Sequence, residues 1–193
     1  MKKFNKGLAL SLSKGFTLIE LLIVIALLGA LAVGLLAALD PFEQLKKGTD
    51  TGVRNTVVEL QSASIRYYAI KNYMPWCADA TCLTFRDGDD NDYTTAITGT
   101  AWSTATTGTI VEIESTGELK IGFSTIAGSG TMAKINIFGS NATQQIKVCY
   151  KPTAKSFIND PNTKYNAATG TEEVAGTCKG QGGTDLTCLW CVQ

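Results

Sequence analysis

Residues 16–39 are almost unbroken apolar sequence: 20 of the 24 positions are apolar, and the one ionisable side chain is Glu20. As a helix the run would be about 36 Å long, enough to cross a hydrocarbon layer of about 30 Å. Asp40-Pro41 closes it. Proline lacks the backbone donor and biases the residue before it away from helix, so a kink is expected there, with helix resuming over residues 42–47. Gly48 and Gly52 are weak points in that continuation. From Val53 to about Lys71 the pattern changes. Val53, Val57, Leu60 and Tyr67 recur at helical spacing, widened by Val58, Ile65 and Ile70. Such a stripe reads as an amphipathic helix with one face on a core, ended by Pro75.

Beyond it, residues 76–108 are polar and rich in threonine, alanine and glycine, an irregular connection. Alternation then predicts strands over residues 109–115 (TIVEIES) and 118–123 (ELKIGF), joined by a tight Thr116-Gly117 turn. Residues 133–138 (AKINIF) and 144–150 (QQIKVCY) form a second pair, linked through Gly139-Ser140-Asn141. After Lys151 the chain reads as loop, full of Asn, Asp, Pro and Gly. The expected fold class is therefore α+β. A long N-terminal helix, half membrane-type and half amphipathic, packs on a four-stranded antiparallel sheet, and the C-terminal loop region is stapled by disulfides.

Charge refines this. Lysine and arginine together number 17, as do the acids, but Lys2, Lys3, Lys6 and Lys14 all precede the apolar run and no acid accompanies them. Basic residues before the run and acids after it favour a cytoplasmic N-terminus. The rest of the chain is net acidic, so no nucleic-acid partner is evident. Histidine is absent, which removes the commonest general base and metal ligand, and no nucleophile motif is present; the expectation is not an enzyme.

The apolar run is too long for a secretory signal and lacks a small-residue cleavage site after it, which leaves a single-pass anchor as the plain reading. The junction Lys14-Gly15-Phe16-Thr17-Leu18-Ile19-Glu20 and the string GFTLIELLIVIALLGALA that follows Lys14 change it. They resemble the prepilin signature of type IV pilins and type II secretion pseudopilins. The likeness is close over roughly the first 40 residues and architectural beyond them. It implies a leader, residues 1–15, cut between Gly15 and Phe16 by a prepilin peptidase, and N-methylation of Phe16. It implies a filament-core helix over 16–39, its amphipathic continuation over 40–74 and a globular head over 75–193. Partners would be copies of the chain and other pilins, the membrane assembly machinery, and lipid before assembly into an extracytoplasmic filament. Glu20 would pair with the Phe16 amine, its own in the monomer or a neighbour's in the filament. The expected function is a structural subunit of a pilus or pseudopilus; the alternative is a minor pilin whose head binds a surface or captures DNA.

Cysteines are six: Cys77, Cys82, Cys149, Cys178, Cys188 and Cys191. An even count behind an export segment points to disulfides. Cys77–Cys82 closes a short loop, and Cys149 is expected to join one of the last three, stapling the tail to the sheet. A redox Cys188-x-x-Cys191 pair and a four-thiolate zinc site are the alternatives. Between Asp87 and Asp92 oxygen ligands crowd together, and Asp87, Asp89 and Asn91 have the first spacings of a calcium loop. The sixth position is Asp92 rather than glycine and the twelfth is Thr98 rather than glutamate, so an acidic surface turn competes with calcium. No other cofactor is expected.

Overall fold

In the computed structural model of the chain, residues 15–38, 40–86, 97–98, 102, 108–140 and 143–192 are described. The chain divides into two compact units, Met1–Pro41 and Phe42–Gln193.

The described part of the first unit is helix α1, Leu18–Ala38. Its long apolar side chains are at least 45% exposed, and none of the span Leu18–Leu36 is buried. A 21-residue helix is about 31 Å long. So much exposed hydrocarbon on one rod requires lipid or protein around it. Asp40 is not helical, and helix resumes at Pro41, where a missing N–H is harmless because the first turn has no acceptor for it.

Helix α2, Pro41–Lys71, opens into the second unit. Its buried stripe of Val53, Val57, Leu60, Ala63 and Tyr67 is the wall of the head core. The helix runs unbroken through Gly48 and Gly52. Threonines around them turn their hydroxyls onto carbonyls one turn back: Thr49 onto Leu45, Thr51 onto Lys47 and Thr56 onto Gly52.

The core lies between α2 and an antiparallel sheet. Its four longer strands are β2 (Ile135–Ser140), β3 (Gln145–Tyr150), β4 (Thr163–Tyr165) and β5 (Leu189–Val192); the two-residue β1 (Ile97–Thr98) adds to the edge. The spatial order is β1-β2-β3-β5-β4. The β2–β3 hairpin matches Ile135 with Tyr150 and Ser140 with Gln145. Ile135, Ile137, Ile146, Val148 and Tyr150 point at α2, while Phe138, Cys149, Tyr165, Leu189 and Cys191 make a second cluster. Gly139 has to be glycine, because a Cβ there would lie 2.6 Å from Cη2 of the buried Trp76.

Two strand expectations are overturned. Residues 109–115 are helix α3, Thr109–Ser115. Ile110 and Ile113, three apart, are buried together, whereas Val111 faces outward at 37% exposure. Helical spacing thus decided over an imperfect alternation. Gly117, at φ 80°, is not a hairpin turn: its N–H and that of Thr116 return to Glu114 and Ile113 carbonyls, ending the helix. Residues 118–123 are accordingly a turn, with Leu119 buried and Ile121 83% exposed, leading into the short helices α4 (Phe123–Ala127) and α5 (Ser129–Met132). The expectation of a wholly loop-like tail fails as well. Residues beyond Lys151 supply helix α6 (Lys155–Ile158), β4 and β5, and β5 is interior to the sheet.

Candidate functional site: the start of the apolar helix and the anchors of the head

At the start of α1 a Cβ added to Gly15 would meet none of the described residues, and Phe16 is 81% exposed. The next four residues form a reciprocal cap. Thr17 donates its N–H (2.9 Å) and hydroxyl (2.7 Å) to the Glu20 carboxylate, and the Glu20 N–H returns to the Thr17 oxygen at 3.3 Å. A carboxylate in the first turn also faces the positive end of the helix dipole. In the uncut chain Phe16 carries an amide rather than an amine, and Glu20 is occupied one residue further on. Thr17 was absent from the residues singled out in the sequence, although Thr-x-x-Glu before an apolar run is a legible capping signal.

The six cysteines form three disulfides: Cys77–Cys82, Cys149–Cys191 and Cys178–Cys188. Cys149 and Cys191 are directly opposed on β3 and β5. No free cysteine remains for redox or thiolate-metal chemistry in this state. Asp87, Asp89 and Asn91 lie outside the described residues. Among the described residues no group of three or more Cys, Asp or Glu side chains is placed to hold a metal ion.

The head is tied to α2 by two polar anchors, one of them buried. Asp50, 1% exposed, accepts the Thr153 N–H (2.7 Å), the Thr153 hydroxyl (2.8 Å) and the Ala154 N–H (2.7 Å). Glu43 accepts the Lys155 N–H. Two acids of α2 thereby cap α6 from outside its own sequence. Burial, with the Asp50 charge behind it, pushes the Tyr150 phenol up to about 12. Asp50→Ala should lower head stability by about 3 kcal/mol, because the buried Ala154 N–H and the part-buried Thr153 N–H lose their acceptor. Asp50→Asn should cost less, since its amide oxygen replaces one acceptor. Urea unfolding of the two variants checks this ranking.

On the other side of the core, the Tyr67 hydroxyl donates to Glu112 at 3.0 Å, and Arg86 pairs with the same carboxylate at 3.2 Å. Burial first, then hydrogen bonds to Tyr73 and Glu112, hold the Tyr67 phenol above its ordinary pKa, so it remains the donor. Arg86 also donates to the Cys77 carbonyl, joining the small disulfide loop to α3.

The chain has an apolar helix of membrane-spanning length and a disulfide-bonded α+β head, which is consistent with the α+β fold of pilins and fits a single-pass membrane protein. Residues 10–36 match the family model of the prokaryotic N-terminal methylation motif, and the chain carries the prepilin signal of type IV pilins and pseudopilins. That signal belongs to structural rather than enzymatic proteins. No curated protein and no solved structure matches the chain.

Proposed function

We propose that this chain is the precursor of a filament subunit, of either a type IV pilus or a related secretion pseudopilus. A prepilin peptidase cuts between Gly15 and Phe16, Phe16 is N-methylated, and residues 16–39 pass from lipid into the filament core. Residues 40–74 continue that helix, and residues 75–193 form the surface of the filament. The N-terminus stays cytoplasmic until cleavage, and assembly machinery extracts the subunit to the extracytoplasmic side. One observation carries the reading: an apolar helix with no buried residue over Leu18–Leu36 begins directly behind Gly15-Phe16, with Glu20 as its lone charge. Charge inside hydrocarbon is retained where it has a partner.

The test is the mass of the mature N-terminus. Protein extracted from membranes of a host with a prepilin peptidase should start at Phe16 and carry one methyl group. Gly15→Val should leave the leader attached while the head folds as before. A chain that keeps Met1, or is cut after the apolar run, overturns the proposal.

A further inference from the structure

The head contains a groove of about 750 Å³ between α2, the β2–β3 hairpin and the turn at Thr169–Thr171. That volume falls in the range of small-molecule sites. The groove is a built feature. Gly170, buried at φ 64°, lies against the Phe138 ring where a Cβ would approach Cγ to 2.5 Å. Lys147 holds the same turn down by donating to the Gly170 carbonyl at 2.9 Å, and its ammonium sits 4.9 Å from the centre of the Tyr165 ring.

Among the described residues five polar ones are buried in the head: Asp50, Gln61, Ser64, Thr109 and Thr163. Asp50, Ser64 and Thr163 have side-chain hydrogen bonds, and Thr109 also has a partner. Gln61, 6% exposed, is the exception: its carboxamide lines the groove and has no hydrogen-bond partner among the described residues. That amide is left to the solvent of the groove, and a ligand there would supply a partner in place of water.

The chemistry of the lining narrows the ligand. Among the described residues that line the groove none is a carboxylate, and the one ammonium, Lys147, is already engaged. A strongly charged ligand therefore has no counterpart there. Gln61, Gln144, Gln145 and Thr171 offer side chains that both donate and accept, beside apolar contacts from Ile65 and Tyr68. A sugar matches this pattern: each hydroxyl both donates and accepts, and its C–H face packs on aromatic or aliphatic carbon. We propose that the groove binds an uncharged carbohydrate of one or two sugar units, with Gln61 hydrogen-bonded to a sugar hydroxyl. The inference does not rest on the filament reading, because the site lies wholly in the head.

The test uses the full uncut chain in lipid nanodiscs, since alkyl glycoside detergents would present sugars of their own. Saturation-transfer NMR is run with cellobiose, maltose, lactose and diacetylchitobiose, and with neutral tetraalanine. At least one disaccharide should show transfer with a millimolar dissociation constant. Gln61→Leu should weaken it at least tenfold without lowering the melting temperature, because the amide makes no hydrogen bond to the described residues of the free head. Gln145→Ala, an exposed change on β3, should also weaken binding and guards against a folding artefact. The proposal is overturned if no disaccharide shows transfer, if binding survives both substitutions, or if Gln61→Leu lowers the melting temperature. Transfer to tetraalanine but to no sugar assigns the groove to peptide instead.

Discussion

Glu20→Ala is expected to leave membrane insertion, cleavage after Gly15 and head folding intact while reducing filament yield about a hundredfold or more. The size follows from where the charge is dry. In the precursor the carboxylate caps its own helix through Thr17, and removing a cap costs about 1 kcal/mol. A 21-residue apolar helix in lipid tolerates that loss at its first turn. In a filament the carboxylate and the new Phe16 amine would both be buried among apolar helices, and removing one partner of a buried pair costs about 3–5 kcal/mol. Each 1.4 kcal/mol is a factor of ten in an equilibrium. Two further variants separate the ion pair from the cap. Glu20→Gln keeps an acceptor for the Thr17 N–H but carries no charge, so it should assemble nearly as poorly as alanine. Glu20→Asp keeps the charge on a shorter arm and should lie between. The measurement is sheared filament per processed monomer. Near-normal yield from Glu20→Gln would mean that Glu20 serves as a cap and not as an assembly contact.

Legibility in the sequence followed the strength of each local signal. The apolar helix, the break at Asp40-Pro41 and the core stripe of α2 were readable because a long run and a 3.6-residue period each have one physical interpretation. The β2–β3 hairpin was readable to within two residues at each end, because two apolar-rich segments flank a Gly-Ser-Asn sequence. Residues 109–123 were misread because Thr116-Gly117 serves a hairpin turn and a helix end equally well. Only the tertiary partners of Ile110, Ile113 and Glu112 decide between them. The tail was misread for a different reason. Leu189–Val192 has no alternation, since a strand between two neighbours with a cluster on each face is apolar on both sides. The Asp50 anchor left no trace in the sequence, because its partners are more than a hundred residues away. The groove likewise joins segments far apart in the chain, and Gln61 reads as an ordinary helix-surface residue until the hairpin is placed over it.

Removal of the Cys149–Cys191 disulfide by paired alanine substitution should cost more stability than removal of either other bond. In the chain-entropy account, a cross-link stabilises by restricting the unfolded chain, and its effect grows with the loop it closes. The separations are 42 residues for Cys149–Cys191, 10 for Cys178–Cys188 and 5 for Cys77–Cys82. These correspond to about 4, 3 and 2 kcal/mol respectively. The folded state reinforces the ranking. β5 lies between β3 and β4, so a β5 freed from β3 also strips β4 of its neighbour. Trp190 leaves with it. Its ring carries the Arg54 guanidinium 4.0 Å from its centre and packs on Tyr150 at 5.7 Å. By contrast, the Cys77–Cys82 loop keeps the Arg86 contacts to the Cys77 and Ala78 carbonyls when its sulfurs are gone. Urea unfolding of the three paired variants should therefore rank them in the order of loop length. Hydrogen exchange should add a spatial signature: in Cys149→Ala/Cys191→Ala, the amides of β4 and β5 should open together and well before those of α2. If the Cys77→Ala/Cys82→Ala pair proves the more costly, or β4 keeps its protection when β5 has lost it, then β5 is not the element that fastens the tail to the head.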